Sequence, residues 1–180
     1  MPEEFDAESL SLKAWMLLHR TRDLFFRCED QVVAGFGLTA EQYSVLLAIE
    51  YLDAPVRATD VGRWLERKVN SVSMIVDRMV KAGLVTRERD LPDRRAVRLV
   101  ITGKGDRAFK AATPAVWRLI EEIMSQLSNE DSLTLVRLLQ TLREKALQCL
   151  NPKDDPQEMK SYDTEDMVRF IERMTRYISR

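Results

Sequence analysis

The chain has 180 residues, 45% of them hydrophobic and 32% charged, with two cysteines, one histidine and a formal net charge of −1. That length buries a core without disulfides or a structural metal, and the composition is globular rather than disordered. No apolar run reaches transmembrane length, and the acidic start MPEEFDAES lacks the basic and then apolar character of a secretion signal, so a cytoplasmic protein with no membrane partner is expected.

Glu8 to Ala34 reads as a long helix. Leu10, Ala14, Leu17, Thr21, Leu24 and Cys28 recur at alternating steps of four and three, and Trp15, Leu18, Phe25, Phe26, Val32 and Val33 widen the stripe. A helix apolar over so much of its circumference needs partners on more than one face, and a second copy of the chain is one candidate. Gly35 and Gly37 end it. Thr39 and Gln42 then form a capping box for a second helix, which points Tyr43, Leu46, Leu47 and Ile49 inward and stops near Asp53-Ala-Pro55. Thr59 is placed to cap a short third helix, Asp60 to Glu66.

A fourth helix is expected from about Asn70 to Ala82. Val72, Ile75, Val76, Met79 and Val80 form its buried face, while Ser71, Met74, Arg78 and Lys81 lie opposite, flanked by Ser73 and Asp77. Gly83 suits the left-handed position beyond its end. Two β-prone runs, Leu84–Arg89 and Val97–Ile101, flank a Pro/Asp loop and read as a hairpin with a charged tip of Asp90, Asp93, Arg94 and Arg95. Thr102 caps the next helix, whose stripe is Phe109, Ala112, Val116, Leu119, Ile123 and Leu127, with Pro114 expected to kink it. Ser128 restarts a helix whose apolar side runs from Leu135 through Leu138, Leu139, Leu142 and Ala146 to Leu150. Residues 151–156 read as a linker, and about Asp163 to Ser179 as a smaller amphipathic helix.

Charge is unevenly placed. Residues 57–105 carry twelve Lys/Arg and six Asp/Glu, a local +6, so the rest of the chain sums to −7. A basic block in an acidic protein suggests one face that meets a polyanion; a solvated charged face is the plain alternative.

The expected fold class is therefore mostly α with a small β-hairpin wing, a winged helix-turn-helix plus a helical dimerisation part. In such a unit the second helix of the pair enters the major groove of double-stranded DNA. Ser71 and Ser73 can bond bases or phosphates, Met74 can contact a thymine methyl, and Arg78 or Lys68 can bond guanine or phosphate. The hairpin tip fits the minor groove, with Asp93 orienting an adjacent guanidinium of Arg94 or Arg95.

The stretch DLPDRRAVRLVITGKG, Asp90 to Gly105, resembles the wing signature of the MarR-type regulators, an Asp-x-Arg core followed by a strand ending in Leu/Ile-Thr and a Lys-Gly. VSMIVDRMVKAGLV, Val72 to Val85, resembles that family's recognition helix, and LSNEDSLTLVRLLQTL, Leu127 to Leu142, its link into the last dimerisation helix. The resemblance spans residues 8–150. It implies a helical dimerisation part over 8–34 and 106–150 and a winged helix-turn-helix over 39–105, with 151–180 outside it.

The resemblance further implies a homodimer, a roughly palindromic DNA site, repression, and release by a small aromatic or phenolic effector. By it, Arg95 is the minor-groove arginine, Asp93 its support, and Ser71, Ser73 and Met74 the reading positions; Lys81 and Arg94 are expected mainly to hold phosphate. This chain departs from the family where Glu66-Arg67-Lys68-Val69 replaces small and apolar residues. Lys68 stands where a capping Ser or Asp is frequent, which makes Asn70 the alternative cap. Met74 stands where an arginine is common.

No catalytic or cofactor motif appears. His19 has no partner at metal-ligand spacing, and Gly103-Lys-Gly105 lacks the rest of a phosphate loop. A thiol-based redox sensor on the same fold is one alternative, but Cys28 and Cys149 read as small core hydrophobes. A winged-helix module that binds only protein is the other, and the Ser/Arg face counts against it.

Overall fold

The computed structural model describes residues 6–89, 97–150, 152 and 167–175. Its elements run α1 (Ala7–Ala34), α2 (Ala40–Tyr51), α3 (Ala58–Trp64), α4 (Val69–Lys81), β1 (Val85–Arg89), β2 (Val97–Ile101), α5 (Gly103–Met124) and α6 (Asn129–Leu150). Residues 167–175 are also helical. Two compact units divide the chain, 1–116 and 117–180.

In the first unit the α1–α2 junction forms as the sequence dictates. Thr39 Oγ1 accepts from the Gln42 N–H at 3.2 Å and Gln42 Oε1 from the Thr39 N–H at 3.0 Å, closing the capping box. The α1–α2 reversal is tied a second time, because Asp30 Oδ1 accepts from the Ala40 N–H at 2.8 Å. Gly37 takes φ +73°, a backbone region closed to most side chains.

Packed helix on helix, this unit encloses a core of Val33, Tyr43, Leu46, Val61, Val72, Ile75, Val76, Met79, Leu99, Phe109 and Val116, all buried. Removing such a side chain from water stabilises by about 1.5–3 kcal/mol. The Tyr43 and Phe109 rings stack with centroids 5.5 Å apart. The Tyr43 hydroxyl donates to Thr113 Oγ1 at 3.3 Å, and the Thr113 hydroxyl donates to the Phe109 carbonyl at 2.8 Å, so the polar atoms of this buried cluster are satisfied.

Three details differ from the sequence reading. Helix α3 starts at Ala58, and its end is closed by Asp60 Oδ2 accepting from the Arg57 N–H at 2.9 Å rather than by Thr59. An acceptor three residues into the helix does the work expected of a hydroxyl before it. Helix α4 starts at Val69, with Lys68 at the N-cap position and no side-chain cap, so Asn70 lies inside the helix. Val80 is 37% exposed rather than buried, since it sits on the shoulder of the stripe led by Val72, Ile75, Val76 and Met79.

The hairpin pairs antiparallel in the register Val85↔Ile101 to Arg89↔Val97. Its base joins α5 tightly. The Thr102 hydroxyl donates to the Gly83 carbonyl at 2.7 Å, the Thr102 N–H donates to the Leu84 carbonyl at 3.0 Å, and Thr102 Oγ1 caps α5 by accepting from the Gly105 N–H at 3.1 Å. Helix α5 continues through Pro114 to Met124.

In the second unit, Ser128 Oγ accepts from the Asp131 N–H at 3.1 Å and starts α6 as expected. No residue of α6 is buried; Leu133, Val136, Leu138, Leu139, Leu142 and Leu150 are all exposed in the single chain. In the first unit, α1 likewise exposes Leu10, Leu12, Trp15, Leu17 and Leu24. In the single chain Cys149 is exposed and Cys28 half-buried, so neither thiol lies in its core as expected.

Candidate nucleic-acid interface

Helix α4 is built from the outside in. Its four buried residues, Val72, Ile75, Val76 and Met79, seat it against α2, α3 and β1. The remaining side chains are thereby turned outward: Lys68, Asn70, Ser71, Met74, Arg78 and Lys81 are exposed and Ser73 is half-buried. Met74 is 66% exposed, a large apolar side chain offered to solvent. At the start of the helix, the absence of a side-chain cap on Lys68 leaves the first N–H groups available to an anion.

The turn that delivers α4 is held by close approach. The Arg67 N–H donates to the Gly62 carbonyl at 2.8 Å, and a Cβ on Gly62 would sit 3.0 Å from the Arg67 carbonyl oxygen. Glu66 takes the left-handed conformation at φ +54°. The small residue missing from 66–69 is thus supplied earlier, by Gly62 on α3.

Ion pairs that no sequence spacing announces lie around this face. Glu41 on α2 holds Arg67 Nη1 with one carboxylate oxygen and Arg78 Nη2 with the other, each at 3.2 Å. Asp77 on α4 pairs with Arg87 on β1. Glu88 Oε2 accepts from Arg98 Nη2 at 2.6 Å and from its Nε at 3.1 Å, directly across the hairpin register. Arg78, expected to be available for DNA, is therefore engaged with Glu41. Lys68 and Lys81 make no ion pair among the described residues. The wing-tip residues Asp93, Arg94 and Arg95 lie outside the described residues.

Two perturbed groups of the same unit owe their shift first to burial. Burial raises the Tyr43 phenol from 10.0 to about 12. Desolvation, followed by the neighbouring Asp30 charge, raises the Glu29 carboxyl. His19 is exposed with its ring centroid 4.6 Å from that of Trp15.

Two short helices joined by a tight turn, the second with an outward polar face and followed by an antiparallel hairpin, define a winged helix-turn-helix DNA-binding fold. The sequence model of the MarR family matches residues 36–96. The transcriptional regulator HosA of Escherichia coli O157:H7 is 30% identical over 105 residues, covering 58% of this chain and 77% of that protein. The chain belongs to the MarR family of transcriptional regulators.

Solved structures agree. The organohalide-sensing RdhR regulator in its 2,4-dichlorophenol-bound form superposes with a TM-score of 0.74 at 25% identity, covering 85% of this chain and 90% of that one. A mutant MarR from E. coli complexed with operator DNA shares the fold, with a TM-score of 0.68 at 22% identity over 77% of this chain and 99% of that one. The family and these relatives are regulators rather than enzymes.

Proposed function

We propose that this chain binds double-stranded DNA as a homodimer, reading a roughly palindromic site with α4, and that it represses transcription until a small aromatic or phenolic molecule releases it. The observation that carries DNA binding is the divided surface of α4, four buried aliphatic side chains on one side and Ser71, Met74, Arg78 and Lys81 exposed on the other. A face built of short hydroxyls, an apolar tip and cations matches the donors, acceptors and methyl groups of a major groove. Ser71, Ser73 and Met74 read bases, while Lys68, Asn70, Lys81 and Arg94 hold backbone, and the wing arginine Arg95, supported by Asp93, enters the minor groove.

Homodimerisation follows from the apolar side chains that α1 and α6 leave exposed in the single chain, far more than a monomer keeps in water. The effector reading is supported by the bound dichlorophenol in the RdhR structure.

Selection from a random DNA library tests base reading. The parent should select an inverted repeat with half-site centres about 10 base pairs, or a multiple, apart. Met74→Arg should change the preferred base symmetrically in both halves, and Lys81→Ala should weaken all sequences alike and reduce the salt slope by about one unit. An unchanged motif for Met74→Arg, or no inverted repeat, would defeat this assignment of α4. Sedimentation at micromolar concentration should give a dimer, and a folded monomer would refute the oligomeric part.

A further inference from the structure

We propose that Glu41 restrains sequence-independent DNA binding by acting as an internal counter-ion for Arg67 and Arg78. The inference rests on the DNA-binding reading above. One carboxylate on α2 engages a guanidinium from the turn before α4 and another from the outward face of α4 itself, at 3.2 Å each. The three side chains are 37%, 25% and 64% exposed in the order Glu41, Arg67, Arg78. Ion pairs so open to solvent contribute little to folding, because water screens the attraction and ordering the side chains costs entropy. Their effect on a polyanion is larger. Each guanidinium paired with Glu41 is one that does not displace a counter-ion from a phosphate, and counter-ion release supplies nearly all of non-specific affinity.

The arrangement separates two kinds of positive charge on one surface. Lys68 and Lys81, which make no ion pair among the described residues, remain available to phosphate. Arg67 and Arg78 are neutralised within the protein, as Arg87 is by Asp77 and Arg98 by Glu88. A recognition face with every cation available would bind any duplex; one whose arginines are held internally depends more on base contacts. Because Glu41 engages two guanidiniums, its removal frees both at once.

The test uses the full chain and a short random-sequence duplex, with affinity measured by fluorescence anisotropy between about 50 and 200 mM salt. Glu41→Gln should bind more tightly than the parent at low salt. Its slope of log affinity against log salt should be steeper by about 0.9 for each guanidinium released. Over that salt range, the advantage of the variant should shrink by about 3-fold if one is released and about 12-fold if both are. Adding Arg78→Gln to Glu41→Gln should return about one unit of slope. Glu41→Asp keeps the charge but withdraws it by a methylene, so that it no longer reaches both partners, and should show a smaller gain of the same kind.

Melting temperatures close to the parent's would show that the fold is kept. Parent and Glu41→Gln sharing one slope, or the double variant keeping the full gain, would overturn the proposal. A parent that shows no salt-dependent affinity for any duplex would instead defeat the DNA-binding reading itself.

Discussion

Replacing Gly105 by Ala should destabilise the protein severely through a single methyl group. A Cβ built on Gly105 would lie 2.1 Å from the Leu84 carbonyl oxygen and 3.1 Å from its carbon, with Ile101 Cγ2 at 3.0 Å. The nearest obstacle is backbone, so no rotamer change relieves it, and ordinary contact would require a movement of more than about 1 Å. Leu84 is itself buried, and its carbonyl accepts from both the N–H of Thr102 at 3.0 Å and the hydroxyl at 3.2 Å.

Forcing extra volume into such a site costs about 1–3 kcal/mol. Disturbing two hydrogen bonds adds about 0.5–1.5 kcal/mol for each. The expected total of about 2–6 kcal/mol is a large part of the roughly 5–15 kcal/mol that keeps a domain folded. Gly103→Ala is the internal control, because its nearest neighbour would be the flexible tip of Arg107 at 3.5 Å. Urea unfolding of the two variants measures the difference. Should Gly105→Ala lie within about 0.5 kcal/mol of the parent, the close approach of α5 to the hairpin base is not what positions the wing.

Tyr43→Phe should cost about 0.5–1.5 kcal/mol, since it deletes one hydrogen bond to Thr113 and keeps the ring stacked on Phe109. The raised phenol makes a second signature: its contribution is fully present below pH 10 and is lost as pH rises through about 12, so Tyr43→Phe should lack that part of the alkaline loss in thermal melts. Glu29 carries a carboxyl raised above 4.5 by desolvation, so its contribution is complete below that value and is lost as pH rises through the raised folded value. Glu29→Gln should therefore be more stable relative to the parent at neutral pH than at pH near 4; the opposite trend in unfolding free energies would show that Glu29 is held charged.

The buried face of α4, the Gly62–Arg67 approach and the Thr102–Leu84 joint each hold an exposed element by interactions beneath it. Serines, Met74 and Lys81 are thereby presented without being consumed in packing. Arg78 is the exception, since its charge is shared with Glu41.

Local rules made much of this protein legible without coordinates. Hydrophobic periodicity located α4 and its inward side chains, and short-range chemistry placed the Thr39–Gln42 box, the Thr102 and Ser128 caps, Gly83 at φ +70° and the paired strands. All of these depend on residues within a few positions of one another, where spacing alone sets geometry. Where two local solutions compete, as Thr59 against Asp60 or Asn70 against Lys68, spacing did not decide, because the chain's path into the helix selects the donor that needs an acceptor. The Glu41 bridge joins residues 26 and 37 positions apart, and the Leu84–Gly105 approach sets a glycine against a backbone carbonyl. Only the packing of α2 against α4 and of α5 beneath the hairpin brings those atoms together, so which charges on the α4 face stay unpaired is decided by tertiary structure even though every charge was visible in the sequence.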